Sequence, residues 1–323
     1  MEYAPSINWP VADALSTLGE RDLPELTSPQ LQRLVADLRV TARRAGELAA
    51  ARLGVDSPGA ARISVVDWVG WGTAARGMLE AALAELELPH RPAGPTERLR
   101  GVGNAVLVGI GKRLASRRLL GQFDAYSGSG TLYLVAPTIL AHERRHGFDP
   151  ADFRLWVSLH EQTHALQFAA APWLRGWLLQ RARTVFEADT PLAAGLLGWA
   201  RTGDAASLLA GGEAGVALSE LVATMTFLEG HADHTADNAG RGHVRTVLAL
   251  RRAFSRPAGA TGLGRFSASF DKSAQYRDGL RFCERVTAMR GRAALLGAFA
   301  EPGNLPRPDE LAEPRRWLNR VGG

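Results

Sequence analysis

One cysteine in 323 residues, Cys283, excludes an internal disulfide, so nothing in the chain calls for an oxidising compartment. Lysine is almost as scarce: Lys112 and Lys272 are the only two, and arginine carries nearly all the positive charge. Lys+Arg 38 against Asp+Glu 33 gives a formal net charge of +5 and a pI of about 9.9. The arginines lie close to acids, as in Glu97-Arg98-Leu99-Arg100, and form no dense basic stripe. Ion pairs and solvated faces account for such a pattern, so nucleic acid is not an expected partner. No apolar run reaches the roughly 18 to 20 residues that span a bilayer. The most apolar region, 192–209, is interrupted by Arg201, Gly203 and Asp204. The first ten residues show no basic patch followed by an apolar core, so no conventional signal peptide is read there. The expectation is a soluble cytoplasmic protein with no membrane partner.

A hydrophobic fraction of 46% supports a substantial core. Helix dominates the pattern, with a small β component, and no internal repeat is evident. A helix is expected over 28–53, with Ser28 as N-cap, Pro29 in the first turn and Gly54 past the end. A β-like run covers 62–68, and a helix follows from about Gly72 to Leu86. Residues 99–119 read as helix despite Gly101, Gly103, Gly109 and Gly111. Their spacing is neither a dinucleotide nor a phosphate-loop motif; small residues that let helices approach explain them better. The clearest strand is 131–136, after the turn Ser127-Gly128-Ser129-Gly130. Residues 276–289 are helical around Cys283, which reads as packing rather than as a nucleophile. Residues 254–270 are an irregular stretch. The Pro-rich segment 302–314 leads to a short terminal helix around Trp317. The expectation is one domain over 1–323, with a mostly helical half, 1–125, and a second half, 126–323, that carries the chemistry below.

That chemistry lies in Leu159-His160-Glu161-Gln162-Thr163-His164-Ala165, an H-E-x-x-H motif. Residues four apart share a helix face, so His160 and His164 can offer two imidazole nitrogens to one Zn²⁺. Such an ion, with three protein ligands and an open position, lowers the pKa of a bound water toward neutrality. Glu161, roughly 100° further round the helix, can accept the proton. The flanks Phe153, Leu155, Trp156, Val157, Leu159, Leu166 and Phe168 are apolar, as a buried helix requires. Asp149 is placed as N-cap, Pro150 at the first position and Pro172 beyond the end, giving about six turns. A second match, His142-Glu143-Arg144-Arg145-His146, reads differently. Two arginines would stand beside a dication, and Gly147 ends the helix at once. A solvated helix end is expected there.

Two histidines need a third ligand. Gln167 and Ala170 occupy the places where a metzincin would have Gly and His, which excludes that class. The segment Leu228-Glu229-Gly230-His231-Ala232-Asp233 follows an apolar helical run, and a carboxylate there needs a partner. The Glu229–Asp233 spacing resembles the E-x-x-x-D arrangement of gluzincins such as the thermolysin class. The resemblance implies Glu229 as third ligand and Asp233 as the partner that orients a ligand histidine. The gap of 65 residues after His164 is far longer than in that class. A break at Gly230 would instead bring His231 in as ligand or as oxyanion donor. Tyr133 and Tyr276 are further candidates for oxyanion stabilisation.

Over most of its length the chain resembles a bacterial zincin-like family, described as zinc-dependent metalloproteases or hydrolases associated with deazaflavin-cofactor biosynthesis. Ile7-Asn8-Trp9, Val65-Val66-Asp67-Trp68-Val69-Gly70-Trp71, Leu120-Gly121-Gln122-Phe123-Asp124 and Leu132-Tyr133-Leu134-Val135-Ala136-Pro137 carry it. So do Phe148-Asp149-Pro150-Ala151-Asp152-Phe153-Arg154-Leu155-Trp156-Val157, leading into His160, then Leu228 to Asp233, and Gln275-Tyr276-Arg277-Asp278-Gly279. The resemblance implies a mainly α fold with a small β component, a zincin-like metal helix pair of gluzincin type, zinc as cofactor and a peptide or small amide as substrate. It also implies that the strand 131–136 pairs with an extended substrate. The link to the cofactor is genomic and establishes no reaction. A metal-stabilised binding or assembly protein without turnover is the alternative.

Overall fold

The structure, a computed structural model, describes residues 4–17, 25–88, 92, 94–116, 119–187, 212–254 and 272–322; for 114, 116 and 272–277 it describes the backbone alone. The chain divides into two compact units: residues 1–47 with 58–165, and residues 48–57 with 166–323. The region 192–209 and the irregular stretch 255–270 lie outside the described residues.

The first unit holds a three-stranded sheet among helices. Its elements are α1 (Trp9–Thr17), most of α2 (Ser28–Leu53), β1 (Arg62–Val66), α3 (Trp68–Glu85), α4 (Pro95–Ser116), β2 (Gly121–Phe123), β3 (Thr131–Val135), α5 (Ala136–His146) and the larger part of α6 (Pro150–Ala170). Strand order is β1-β3-β2. β1 runs parallel to β3, from Arg62↔Thr131 to Val66↔Val135, and β2 runs antiparallel, from Gly121↔Leu134 to Phe123↔Leu132. The apolar run of β3 makes it the buried centre, with Leu132, Leu134 and Val135 fully enclosed. Both of its hydrogen-bonding edges are therefore occupied. That overturns the expectation that residues 131–136 pair with a substrate; β2 is the edge strand on that side of the sheet.

The turn from β2 to β3 is built on Asp124. Its Oδ1 accepts from the backbone N–H groups of Tyr126 (3.0 Å) and Ser127 (2.9 Å), and its Oδ2 accepts from the hydroxyls of Ser129 (2.7 Å) and Ser127. Burial pushes this carboxyl's pKa up, but the hydrogen bonds from Ser127, Ser129 and Tyr126 outweigh it and hold the pKa below the usual value.

α3 starts earlier than the sequence pattern suggests. Asp67 caps it, accepting from the Gly70 N–H at 2.7 Å, and the helix begins at Trp68 rather than near Gly72. The start of α2 also differs slightly: Ser28 is the first helical residue, and the Gln30 side chain accepts from the Thr27 N–H at 2.8 Å. In α4 the glycines divide into two kinds. A Cβ on Gly109 would fall 2.8 Å from Ala12 O and from Leu15 Cβ, so that glycine lets α1 lie against α4. Gly103 and Gly111 face open space.

α6 is enclosed on nearly every side: Phe153, Ser158, Leu159, Gln162, Thr163 and Leu166 are all fully buried. Asp149 Oδ1 accepts from the Asp152 N–H at 3.0 Å, as a cap should.

The second unit contains the C-terminal turn of α6, α7 (Leu174–Phe186), α8 (Gly212–Gly240), α9 (Val247–Phe254), α10 (Lys272–Arg290), 3₁₀ turns at Arg292–Phe299 and Pro302–Asn304, α11 (Pro308–Ala312) and α12 (Pro314–Val321). Its core joins Leu174, Leu178, Phe227, Phe282, Val286, Phe299 and Trp317. Cys283 sits inside this core, and burial pushes its thiol pKa well up, which suits packing rather than reactivity. α8 runs unbroken through Gly230. The glycine serves a helix crossing instead. A Cβ on Gly230 would lie 2.0 Å from the Gly279 carbonyl carbon, and one on Gly279 would lie 2.0 Å from Thr226 O. The alternative of a break at Gly230 does not occur; α8 and α10 touch backbone to backbone there. No helix of the described residues is long and apolar enough to cross a membrane.

Candidate metal centre

His160 and His164 lie one turn apart on α6. Their Nε2 atoms are 3.2 Å from each other, and the rings stand nearly perpendicular at 82°. Two nitrogens bound to one tetrahedral Zn²⁺ at about 2.0–2.1 Å are separated by roughly 3.3 Å. The pair therefore fits the bite of a single ion. A helix holds this spacing because i and i+4 side chains project from one face.

The two middle residues of the motif fix α6 in place. Gln162 accepts from the Ala60 N–H at 2.7 Å and donates to Ala42 O at 2.9 Å, tying α6 to α2 and to the segment before β1. Gly59 leaves room for this amide, since a Cβ there would fall 2.3 Å from Gln162 Oε1. Thr163 donates to Leu159 O at 2.7 Å. Both polar side chains are thereby satisfied inside an otherwise apolar environment.

Glu161 is 8% exposed and lies against the edge strand β2. A Cβ on Gly121 would meet Glu161 Cγ at 2.7 Å and Cδ at 2.9 Å. Glycine at 121 is what lets the carboxylate side chain pass beside the strand.

Glu229, on α8, is half-buried, and it completes a candidate ligand set. His160, His164 and Glu229 each offer one ligand atom, and these atoms lie within 4.8 Å of one another. Two imidazoles and a carboxylate suit Zn²⁺ in chemical type.

The other expected site residues stand as follows. His231 is 1% exposed, enclosed by the rings of Phe227 and Phe299. In the unbroken helix it lies about 200° round from Glu229. Gln167 Nε2 donates to Leu228 O at 2.7 Å and lies 3.1 Å from His231 Nδ1. Because an amide nitrogen has only hydrogens to give, Nδ1 is the acceptor and His231 carries its proton on Nε2. Gln167 was missed as a functional candidate by the sequence pattern. A signal existed: it lies seven residues after His160 and three after His164, a polar residue on the same helix face.

One oxygen of Asp233 accepts from Arg251 Nη1 at 2.6 Å, and Asp237 accepts from Arg251 Nε at 2.8 Å. Burial lowers the pKa of Arg251, but the two carboxylates outweigh it and keep the guanidinium firmly charged. The side chain of Tyr276 lies outside the described residues. Tyr133 stands in central strand β3.

The second H-E-x-x-H match ends α5, with Gly147 in the left-handed conformation at φ 62°. Glu143 is engaged by Arg154, at 2.7 and 2.9 Å, rather than directed to a metal. His146 is exposed as expected, but His142 is not solvated. It stacks on Phe153, and burial, with His146 and Arg145 nearby, pushes its pKa down to about 4.

A helix pair presenting two histidines and a carboxylate beside a small sheet defines a zincin-type arrangement. The family model for zincin-like metallopeptidases matches residues 7–318, and the chain belongs to that family. It is also similar to a crystal structure from Chloroflexus aurantiacus provisionally described as a hydrolase with a novel fold. The two share 24% identity over 98% of this chain and 99% of that one, with a TM-score of 0.68, a likeness of fold. No curated protein matches.

Proposed function

We propose that the protein is a zinc-dependent hydrolase acting on a peptide or small amide. The observation that carries this reading is the 3.2 Å separation of the His160 and His164 Nε2 atoms, the bite of one tetrahedral ion. His160, His164 and Glu229 would hold the metal. When bound, zinc would supply Lewis acidity, polarising a carbonyl and acidifying water. Glu161 would take a proton from the attacking water and return it to the leaving amine. Its close packing against Gly121 restricts where the carboxylate can be, which favours a positioned base. Tyr276 is the proposed donor to a developing oxyanion; His231, turned away from Glu229 in the unbroken α8 and packed between Phe227 and Phe299, is not. Asp233 would orient a ligand histidine through the oxygen that does not face Arg251 Nη1. The edge strand β2 suits main-chain pairing with an extended peptide beside Glu161.

The test compares metal content and hydrolysis in wild type, Glu229→Ala and Glu161→Gln, each supplied with zinc. About one zinc per chain in wild type, a sharp loss in Glu229→Ala, and full zinc without turnover in Glu161→Gln are expected. Turnover retained in Glu161→Gln overturns the general-base assignment. Zinc retained without Glu229 overturns the ligand set.

A further inference from the structure

A cavity lies within the second unit. It measures about 60 Å³ and is lined by Arg52, His231, His234, Thr235, Asn238 and Arg292, among others. At about 10–15 Å³ per water-sized occupant, that volume takes four to six. Two arginines and several hydrogen-bonding side chains face an apolar remainder of Leu53, Ala293, Leu295 and Leu296. Among the described residues no carboxylate pairs with Arg52, Arg241 or Arg292. Arg52 is instead held at a depressed pKa by burial and by the charges of Arg292 and Arg241. The nearest acid to His234, Asp237, is engaged by Arg251 at 2.8 and 3.1 Å.

Two buried polar atoms here have no hydrogen-bond partner: Arg52 Nε and Thr235 Oγ1. Thr235 is 2% exposed, so its hydroxyl is far from bulk water. Arg52 makes one long bond, from Nη2 to Asn238 Oδ1 at 3.4 Å. Arg52 is half-buried and Arg292 exposed, so their repulsion is moderate, but an anion would relieve it and would also give the buried Arg52 Nε and Thr235 hydroxyl a partner. Arginine's planar fork matches phosphate as well as carboxylate, and a tetrahedral anion has a further oxygen to offer the Thr235 hydroxyl.

We propose that this cavity binds a phosphate group, held by Arg52 and Arg292 with Thr235 as a further donor. The site is separate from the proposed metal ligands and does not depend on a bound metal. The phosphate would be either the free ion or the terminal group of a larger ligand; the chemistry of recognition is the same.

The test is calorimetric titration of the full chain with inorganic phosphate and with phenyl phosphate, at constant ionic strength. One saturable site in wild type is expected. Arg52→Gln and Arg292→Gln should each weaken it by about tenfold or more, as loss of a charge-assisted contact does. Arg316→Gln, whose side chain pairs with Asp309 and Glu313, should leave it unchanged. Thr235→Val should weaken binding severalfold while the ligand-free protein stays as stable as wild type. Tighter binding of phenyl phosphate supports the site as a recess for a phosphorylated ligand; tighter binding of inorganic phosphate supports the free ion.

The titration is repeated in His164→Ala. Binding that disappears there, yet survives in Arg52→Gln and Arg292→Gln, would put the phosphate on a metal and overturn the proposal. Absence of saturable binding in the folded wild type, or acetate binding more tightly than phosphate, overturns it as well. Circular dichroism of each variant separates loss of binding from loss of fold.

Discussion

Replacing Gly121 by alanine tests whether the position of Glu161 governs turnover. The added Cβ would stand 2.7 Å from Glu161 Cγ, 2.9 Å from Cδ and 3.0 Å from Tyr133 O. Carbon atoms in contact prefer about 3.5–4.0 Å, so the first approach is short by roughly 0.8 Å. The β2 backbone is held in register with Leu134 of the buried central strand and yields little. Most of the displacement therefore falls on Glu161. A catalytic group tolerates only about 0.5 Å of misplacement, and about 1 Å can cost a hundredfold in rate. The expected result is a drop in kcat/KM of about ten- to a hundredfold, with overpacking costing about 1–3 kcal/mol of stability. Zinc content should stay at the wild-type level, because the nearest atoms to the new Cβ belong to Glu161 and Tyr133 rather than to His160 or His164. The assay pairs hydrolysis of a fluorogenic peptide with metal analysis and urea unfolding of the same preparations. Wild-type kcat/KM in fully zinc-loaded Gly121→Ala would refute the reasoning.

Three further outcomes follow from the packing and the buried groups. Gln167→Leu keeps the side-chain volume but removes the donor to Leu228 O and His231 Nδ1; it should cost about 1–3 kcal/mol in urea unfolding, and unchanged stability would show that the amide is dispensable. Gly230→Ala would bring a Cβ to 2.0 Å from the Gly279 carbonyl carbon and must push apart two helix backbones, so a loss of about 3 kcal/mol or no folded protein is expected, and a wild-type midpoint would disprove the crossing. His234, whose neighbours include Asp237, Arg52, Arg241 and Thr287, has its pKa pushed down to about 4, chiefly by burial. The unfolded chain then binds the proton near pH 6.5 while the folded chain does not, so stability rises with pH across this interval. Its contribution is complete above about pH 6.5 and lost as pH falls toward 4, on the order of 3 kcal/mol, with His142 acting in the same direction. Urea midpoints from pH 7 to 4.5 should show this slope, and His234→Gln should flatten it; an equal slope in the variant would exclude His234 as its source.

Local signals marked the helices well, because caps and periodicity act over a few residues. Pro150 at the start of α6, Asp149 as its cap and the span of α2 were all legible in this way. So was the difference between the two H-E-x-x-H segments: paired arginines and a following glycine mark a helix end, whereas an apolar flank marks a buried helix. The sequence alone also placed His160 and His164 on one face, since the helical period fixes that relation wherever the helix goes.

Tertiary structure decided what depends on partners distant in sequence. β3 lies between β1 and β2, a pairing that local alternation cannot express, and so it is β2 that forms an edge. Gly230 looked like a possible helix break, but its purpose is visible only against Gly279, 49 positions away. The same holds for Gly121 beside Glu161 and for Gln162 between Ala42 and Ala60. Arginine shows both sides of the matter. Its abundance is plain in the composition, yet only folding distinguishes Arg154, Arg251 and Arg320, which meet buried carboxylates, from Arg52 and Arg292, which meet at a cavity. Backbone preference is a property of neighbouring residues, whereas charge compensation and close approach are properties of the packed chain.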